Sequence, residues 1–337
     1  MKKLILILGV FLLTTLLSYQ KYDRYIHNPV NPDNDTQISF QIKPGQPVKE
    51  IAANLQEKEL INSATAFYLY SKFTGSAPDI LAGRFLLTQQ MNIPTIIETI
   101  SNPNSAELII TVQEGLLIRD IAAKIQELNL TDSETFYQGV KKFNGWQYYD
   151  FLDSTTLQSL DLPLEGYLYP DTYFLDDSAQ YPDFFLYLAL DNFERKWNSL
   201  DKSNSTIAKK YSIHEIVTMA SIIENEVFGE EDRQLVSGIL WKRLESGWTI
   251  GADATLLYIT EDRTITAQDL AIDSPYNTRK NLGLPPGPIS NPSLSSLYAA
   301  LYPKESQYWF YLTTLDTGEV IYATSNEQHN ANRARYL

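Results

Sequence analysis

Two glutamates, Glu224 and Glu226, stand two residues apart in the otherwise apolar stretch VTMASIIENEV at 217–227. A carboxylate is costly in apolar surroundings, so each either pairs with a cation at the rim of the core or keeps its proton. A glutamic acid that keeps its proton near neutral pH can serve as a general acid. Lifting its pKa from about 4.3 to about 6.5 costs roughly 3 kcal/mol of stability. On a helix the two side chains point about 200° apart, so only one of them can face a given cleft, and periodicity does not choose between them. Other reactive sets are missing from the 337 residues. There is no cysteine, and His27, His214 and His329 lie far apart with no HExxH spacing. Neither a GxSxG elbow nor a glycine-rich phosphate loop occurs. The SxxK match from Ser199 to Lys202 lacks its partner motifs and sits in a polar stretch that reads as a loop.

The glutamates need a helix to carry them, and SIHE at 212–215 starts one. Ser212 is the N-cap and Glu215 completes a capping box. The pattern predicts a helix running past Val227, with Ile216, Ala220, Ile223 and Val227 as its apolar stripe and Thr218 and Asn225 opposite. From about residue 160 the chain changes texture, to aromatic segments separated by loops dense in glycine and proline. LEGYLYPDTYFL spans 164–175, and SPYNTRKNLGLPPGPISNPSLSSLYAALYP spans 274–303. Such loops, fixed between strong elements, often line sites. YWFYLTTLDTGEVIYAT reads as a hairpin turning at Asp316-Thr317-Gly318.

Upstream, the chain repeats itself. ISFQIKPGQPVKEIAANLQEKELI returns seventy positions later as ELIITVQEGLLIRDIAAKIQELNL, with Gly45 on Gly115 and Ile51-Ala52-Ala53 on Ile121-Ala122-Ala123. Each copy reads as a strand, a glycine turn and an amphipathic helix, and LAGRFLLT at 81–88 supplies a second strand to the first copy. The pattern resembles the LysM-like modules that sit on cell-wall glycans; on the residues alone it reads equally as a structural spacer. Before it, HNPVNPDNDTQ at 27–37 reads as a linker.

Met1-Lys2-Lys3 precedes an uncharged run from Leu4 to Tyr19, which as a helix is about 24 Å long against a hydrocarbon core of about 30 Å. That length suits a short anchor or a signal-peptide core. The absence of an A-x-A-like site, and Tyr19, Tyr22 and Tyr25 on one helical face, favour an uncleaved anchor with the rest of the chain outside. The net charge of −14, with no basic stripe, excludes a nucleic-acid partner. Apolar residues at 44% and charged residues at 20% describe a globular chain with room for two or three domains. The 22 tyrosines read as packing, or as flat faces for sugars or a partner.

Four ordered motifs, MASIIENEV, EGYLYPDTY, SPYNT…GLPPGPISNP and the closing NEQHN, resemble the membrane-anchored endolytic murein transglycosylases, the MltG (YceG-like) family, over nearly the whole chain. The resemblance implies an α+β protein: a membrane anchor at 1–26, a linker at 27–37, a LysM-like module at 38–105, a second strand-helix repeat at 106–159, and a mixed α+β catalytic domain at 160–337. It also implies that Glu226 is the catalytic acid and base. Glu226 would protonate the glycosidic oxygen between MurNAc and GlcNAc, after which the MurNAc C6 hydroxyl closes a 1,6-anhydro ring with no water consumed. Glu224 is then structural. Glu165 of the E-G motif, Asp253, Tyr276, Asn277, His329 and Asn330 match motif positions and are expected near substrate. Ala254 follows Asp253 where the family usually has proline, and Asn225 replaces a frequent lysine. Peptidoglycan strands as substrate, peptidoglycan synthases as partners, an extracytoplasmic location and no cofactor or metal complete what the resemblance implies. A two-carboxylate glycan hydrolase and a non-catalytic wall-binding scaffold are the alternatives.

Overall fold

The computed structural model describes residues 2–43, 45–102, 105, 108–175, 183–260, 265–314 and 317–336. It is a mixed α+β protein in which, among the described residues, strands pair only in twos. The chain divides into two compact units, residues 1–109 with 174–178, and residues 110–173 with 179–337.

The first unit opens with helix α1 (Lys2–His27), followed by β1 (Ile38–Ile42), α2 (Val48–Glu57), α3 (Ala64–Thr74), β2 (Gly83–Leu87) and α4 (Ile93–Ser101). β1 and β2 are antiparallel, with Phe40 opposite Phe85 and Ile38 opposite Leu87. Their inward residues meet Ile51 and Leu55 of α2, Phe67 of α3 and Ile96 and Ile100 of α4 in one core. The caps are legible. Ser63 accepts from Ala66 N at the start of α3, Asn92 accepts from Thr95 N at the start of α4, and α3 ends on Gly75 at φ 76°. Tyr22 and Tyr25, expected as an interfacial girdle, pack instead against this core, and Ile26 is buried. Nor is 27–37 a loose linker throughout: Asn31 N and the Asn34 amide both bond to Gln89. Among the described residues no helix is long and apolar enough to cross a membrane. The uncharged run ends at Tyr19, and Lys21, Asp23 and Arg24 occupy the rest of α1.

From residue 108 the chain repeats the pattern of the first unit. β3 (Leu108–Val112), α5 (Ile118–Glu127) and α6 (Ser133–Lys141) follow the order of β1, α2 and α3. Gly45 and Gly115, at φ 74° and 76°, make the same turn, and Glu59 and Asn129, both at φ 56°, end the corresponding helices. The likeness goes further than the sequence pattern: β3 finds its partner in β4 (Asp171–Leu175), as β1 finds β2, after an insertion that carries the short α7 (Ser154–Leu157) and the EGYLYP segment.

Beyond it come α8 (Asp183–Ser199), α9 (Thr206–Lys210), α10 (Ile213–Glu226), α11 (Glu230–Glu245), α12 (Ala254–Thr260), α13 (Leu294–Leu301), the antiparallel hairpin β5 (Phe310–Thr313) and β6 (Val320–Ala323), and α14 (Asn326–Tyr336). The hairpin lies where expected, although Asp316 of its turn is outside the described residues. Ser199 and Lys202 make no nucleophile pair: the Ser199 hydroxyl donates to Lys196 O, and Lys202 Nζ to Trp197 O and Leu200 O.

α10 begins on the expected capping box of Ser212 and Glu215. It does not carry a stripe. Every residue from Ile216 to Glu224 is buried, Thr218 included, because α9, α11, α12 and α13 surround it. It also stops earlier than its pattern predicts. Val227 is extended at φ −149° and ψ 154°, and Phe228 and Gly229 lead straight into α11.

Candidate active site

The early end of α10 decides what its two glutamates do. Glu224 faces inward. Its Oε1 accepts from Arg233 of α11 at 2.8 Å, and its Oε2 accepts from the Ser293 backbone N–H at 2.8 Å and hydroxyl at 2.5 Å. Since Ser293 is the N-cap of α13, one buried carboxylate ties three helices together. Glu226, in the last turn, is partly exposed. Its Oε2 accepts from the Tyr311 hydroxyl of β5 at 2.9 Å, and its Oε1 from the Ala254 N–H at the start of α12 at 3.3 Å. Burial pushes the Glu226 carboxyl above its ordinary range, and nearby Asp253 adds to this. The Tyr311 and Ala254 bonds and the charge of Arg279 oppose it. Its place at the C-terminal, negative end of α10 also disfavours the carboxylate.

The residues around Glu226 are themselves fixed. Burial and the Glu226 charge hold the Tyr311 phenol well above its usual range, so it is always a donor. Arg243 of α11 is inserted behind β5, donating to Trp309 O at 2.9 and 2.6 Å and to Ile250 O at 2.6 Å, under the rings of Phe310 and Tyr311. The Thr313 hydroxyl reaches Glu226 O at 3.3 Å and fastens the hairpin to the end of α10. Asp253 is ion-paired to Arg279, both largely exposed. Nothing in the sequence marked Tyr311 or Arg243. A tyrosine alternating in a strand and an arginine in a helix of ordinary composition carry no local signal, and only tertiary packing brings them to the glutamate.

The remaining expected residues divide. Glu165 is 3% exposed and accepts from the Ile118 N–H, the first of α5, at 3.1 and 3.3 Å. Burial pushes its carboxyl up to about 8, against the opposing effects of that N–H and of Arg119. Among the described residues no hydrogen bond joins Glu165 to Glu226; Glu165 belongs to a second pocket, beside Tyr258. Tyr276 packs on Tyr258 with centroids 4.9 Å apart, and burial together with the Glu165 charge raises its phenol to about 12. Asn277 is fully buried; its amide donates to Leu270 O and Ile272 O and its Oδ1 accepts from Arg279 N. It shapes the loop that presents Tyr276 and Arg279. His329 stacks on Phe310 at 5.2 Å with its Nδ1 unpartnered, and burial plus Arg333, Arg243 and Arg279 press its pKa down, so it is neutral near pH 7. Asn330 is exposed on α14.

The PPGPISNPS loop locks this arrangement. Ile289 N donates to the Ser221 hydroxyl at 2.9 Å, and the Asn225 amide donates to the Ser290 hydroxyl at 2.6 Å. Asn291 receives Leu168 N on its side chain and donates its amide to Leu116 O. Gly166 of the E-G motif sits at φ 87°, where an added Cβ would lie 2.4 Å from Pro288 Cβ, so both conformation and closeness demand glycine. Among the described residues no group of three or more histidines and acids is placed to hold a metal ion.

The model of the YceG-like family matches residues 40–335. The endolytic murein transglycosylase of Bacillus subtilis (strain 168) is 34% identical over 335 residues, covering 94% of this chain and 89% of that protein. The protein of the same name from Streptococcus pneumoniae serotype 2 (strain D39) is 27% identical, covering 92% of this chain and 60% of the relative's length. Among solved structures, a crystal structure of a yceG-like protein from Listeria monocytogenes is similar with a TM-score of 0.62 and 29% identity, over 88% of this chain and 99% of that one.

Proposed function

Because the chain belongs to the YceG-like family, we propose that it is an endolytic murein transglycosylase in which Glu226 alone serves as acid and base. The observation that carries the reading is the environment of Glu226: a partly buried carboxyl at a helix C-terminus, aimed by Tyr311 and Ala254, with its pKa raised. Its carboxylate neighbour Asp253 is bound to Arg279, and Glu165 is engaged with Ile118. Hydrolysis of a glycoside uses two carboxylates, one of them a nucleophile or the base for a water. A substrate that brings its own nucleophile needs one.

Glu226 gives its proton to the glycosidic oxygen between MurNAc and GlcNAc, and the C1–O bond breaks. The resulting carboxylate takes the proton of the MurNAc C6 hydroxyl, and O6 bonds to C1. The proton lost in the first step is regained in the second, no water enters, and the new end is a 1,6-anhydro sugar. Intramolecular attack supplies the high effective concentration that replaces the second carboxylate. His329, stacked on Phe310 of β5, and the Asp253–Arg279 pair, whose charges reach Glu226, are the residues in this reading closest to the bond that breaks.

The β1-α2-α3-β2 arrangement of the first unit supports its reading as a LysM-like glycan-binding module. The uncharged run of α1 supports a short membrane anchor with the catalytic unit outside the cell membrane. The peptidoglycan synthases whose strands it would cut are its expected partners.

The test uses the full chain in detergent, since α1 contributes to the first unit's core. Uncrosslinked peptidoglycan is incubated with it and with Glu226→Gln, and the fragments are weighed. Anhydro ends from the parent and none from the variant are expected. Fragments heavier by one water would identify a hydrolase and sink the single-carboxylate mechanism, and cleavage surviving in Glu226→Gln would remove Glu226 from its role.

A further inference from the structure

α12 borders two spaces. Its first residue, Ala254, donates to Glu226, while Tyr258, one turn on, lines a separate pocket of about 390 Å³ with Arg119, Glu134, Tyr137, Lys141 and Glu165. At 1.5 Å per residue the two ends of that turn are about 6 Å apart, on the order of one sugar ring. Glu226, Tyr311 and Asp253 do not line the pocket, so it lies beside Glu226 rather than around it.

Its lining has a particular chemistry. Tyr258 is backed by Tyr276, and with Tyr137 it offers flat apolar faces. Glu165 accepts from Ile118 N–H and, being held protonated by burial, has a hydroxyl to donate. Lys141 is matched by Asp161 at 2.8 Å, and Arg119 stands opposite Glu134 in sign. Cations, Arg119 and Lys141, and acids, Glu134 and Asp161, line it together, so neither a polyanion nor a polycation suits it. A neutral ring with hydroxyl and amide groups does.

We propose that this pocket is a second saccharide subsite, holding an N-acetylhexosamine of the same strand beyond the bond cut at Glu226, and that it sets the shortest strand the enzyme cleaves. The proposal rests on the transglycosylase reading of Glu226. A strand seated there is gripped on one side of the scissile bond before Glu226 acts, which favours internal cuts over removal of terminal units.

Binding and cleavage are measured separately, so that the two readings fail separately. In full-length Glu226→Gln, which does not cleave, calorimetry follows the neutral N-acetylglucosamine tetramer. Tyr258→Ala in that background weakens binding at least tenfold. In the active chain, Tyr258→Ala raises KM for uncrosslinked strands at least tenfold and changes kcat about twofold or less. Lys141→Trp, at the half-exposed rim on α6, reproduces the effect by filling the pocket without disturbing the core, and covers the case in which Tyr258→Ala unfolds. Tetramer binding that is indifferent to both substitutions overturns the subsite. So does a loss confined to kcat, which would mean that Tyr258 acts through α12 on Glu226. Absence of anhydro products from the parent would instead overturn the mechanism while leaving the binding result standing.

Discussion

At the scale of single residues, the proposed chemistry rests on what surrounds one carboxyl. A general acid works while it is protonated, so with Glu226 in the proposed role the alkaline fall of kcat/KM follows its pKa in the free enzyme. The Tyr311 hydroxyl stabilises the carboxylate form, and removing it raises that pKa. A hydrogen bond to a charged group is worth about 1.5–3 kcal/mol and a pKa unit about 1.4 kcal/mol. Tyr311→Phe therefore moves the alkaline limb up by about one to two units, with kcat reduced because the carboxyl is less firmly aimed. A pH profile measures this, and a drop at all pH values with an unmoved limb would show that Tyr311 only fills space. Glu165 gives a second sign. Its folded pKa of about 8 lies above its unfolded value, so the folded state holds the proton more tightly. That stability is complete below about pH 4.5 and is lost as pH rises toward 8. Glu165→Gln should melt higher than the parent at pH 8, by up to about 4 kcal/mol, and the gain should vanish near pH 4.5. A pH-independent difference would show that Glu165 ionises normally.

At the scale of elements, the division of labour between Glu224 and Glu226 comes from where α10 ends. Glu224→Gln leaves Arg233 as a buried, unpaired cation and weakens the N-cap of α13, and removing one partner of a buried pair costs about 3–5 kcal/mol. Glu226→Gln removes only a carboxyl that resists ionising. Denaturant melts should show a large midpoint loss for the first and almost none for the second; equal losses would mean that Glu226 also carries structure. The capping box of Ser212 and Glu215, the hairpin, the β1-β2 pair and the repeat were all legible, because each is written in local patterns of caps, alternation and glycine turns. The C-terminus of α10 was not, because a valine after two glutamates carries no stop signal and its extended angles follow from packing. For the same reason a helix buried on every side reads in sequence as an apolar face with a polar back. In the E-G and PPGPIS motifs, Gly166, Pro288 and Asn291 act as staples, and Asn277 of SPYNT as a loop brace. Composition and spacing cannot separate a residue that touches substrate from one that holds the loop touching it.

At the scale of the whole molecule, α1 does two things that its sequence presented as one. Its first part is an uncharged run whose Phe11, Leu12, Leu13, Leu16 and Leu17 are all exposed, an arrangement costly in water and favourable in lipid. Its last part belongs to the first unit, where Tyr22 and Tyr25 lie on the core and Ile26 is buried. The tyrosines spaced three apart fit either an interfacial belt or a helix docking face, since both need one side of a helix, and the fold uses Tyr22 and Tyr25 for docking. Two truncations separate the functions. A chain starting at residue 18 keeps the docking face and loses the run; one starting at 38 loses both. Flotation with anionic vesicles should retain the full chain and release both truncated forms. Thermal melts should leave the chain from 18 close to the parent. The chain from 38 should lose about 2 kcal/mol or more from the first unit, because burying one isoleucine alone is worth about 1.5–3 kcal/mol. Flotation of the chain from 18 would place the membrane contact elsewhere on the molecule, and equal melting of the two truncated forms would mean that α1 adds nothing to the unit it packs on.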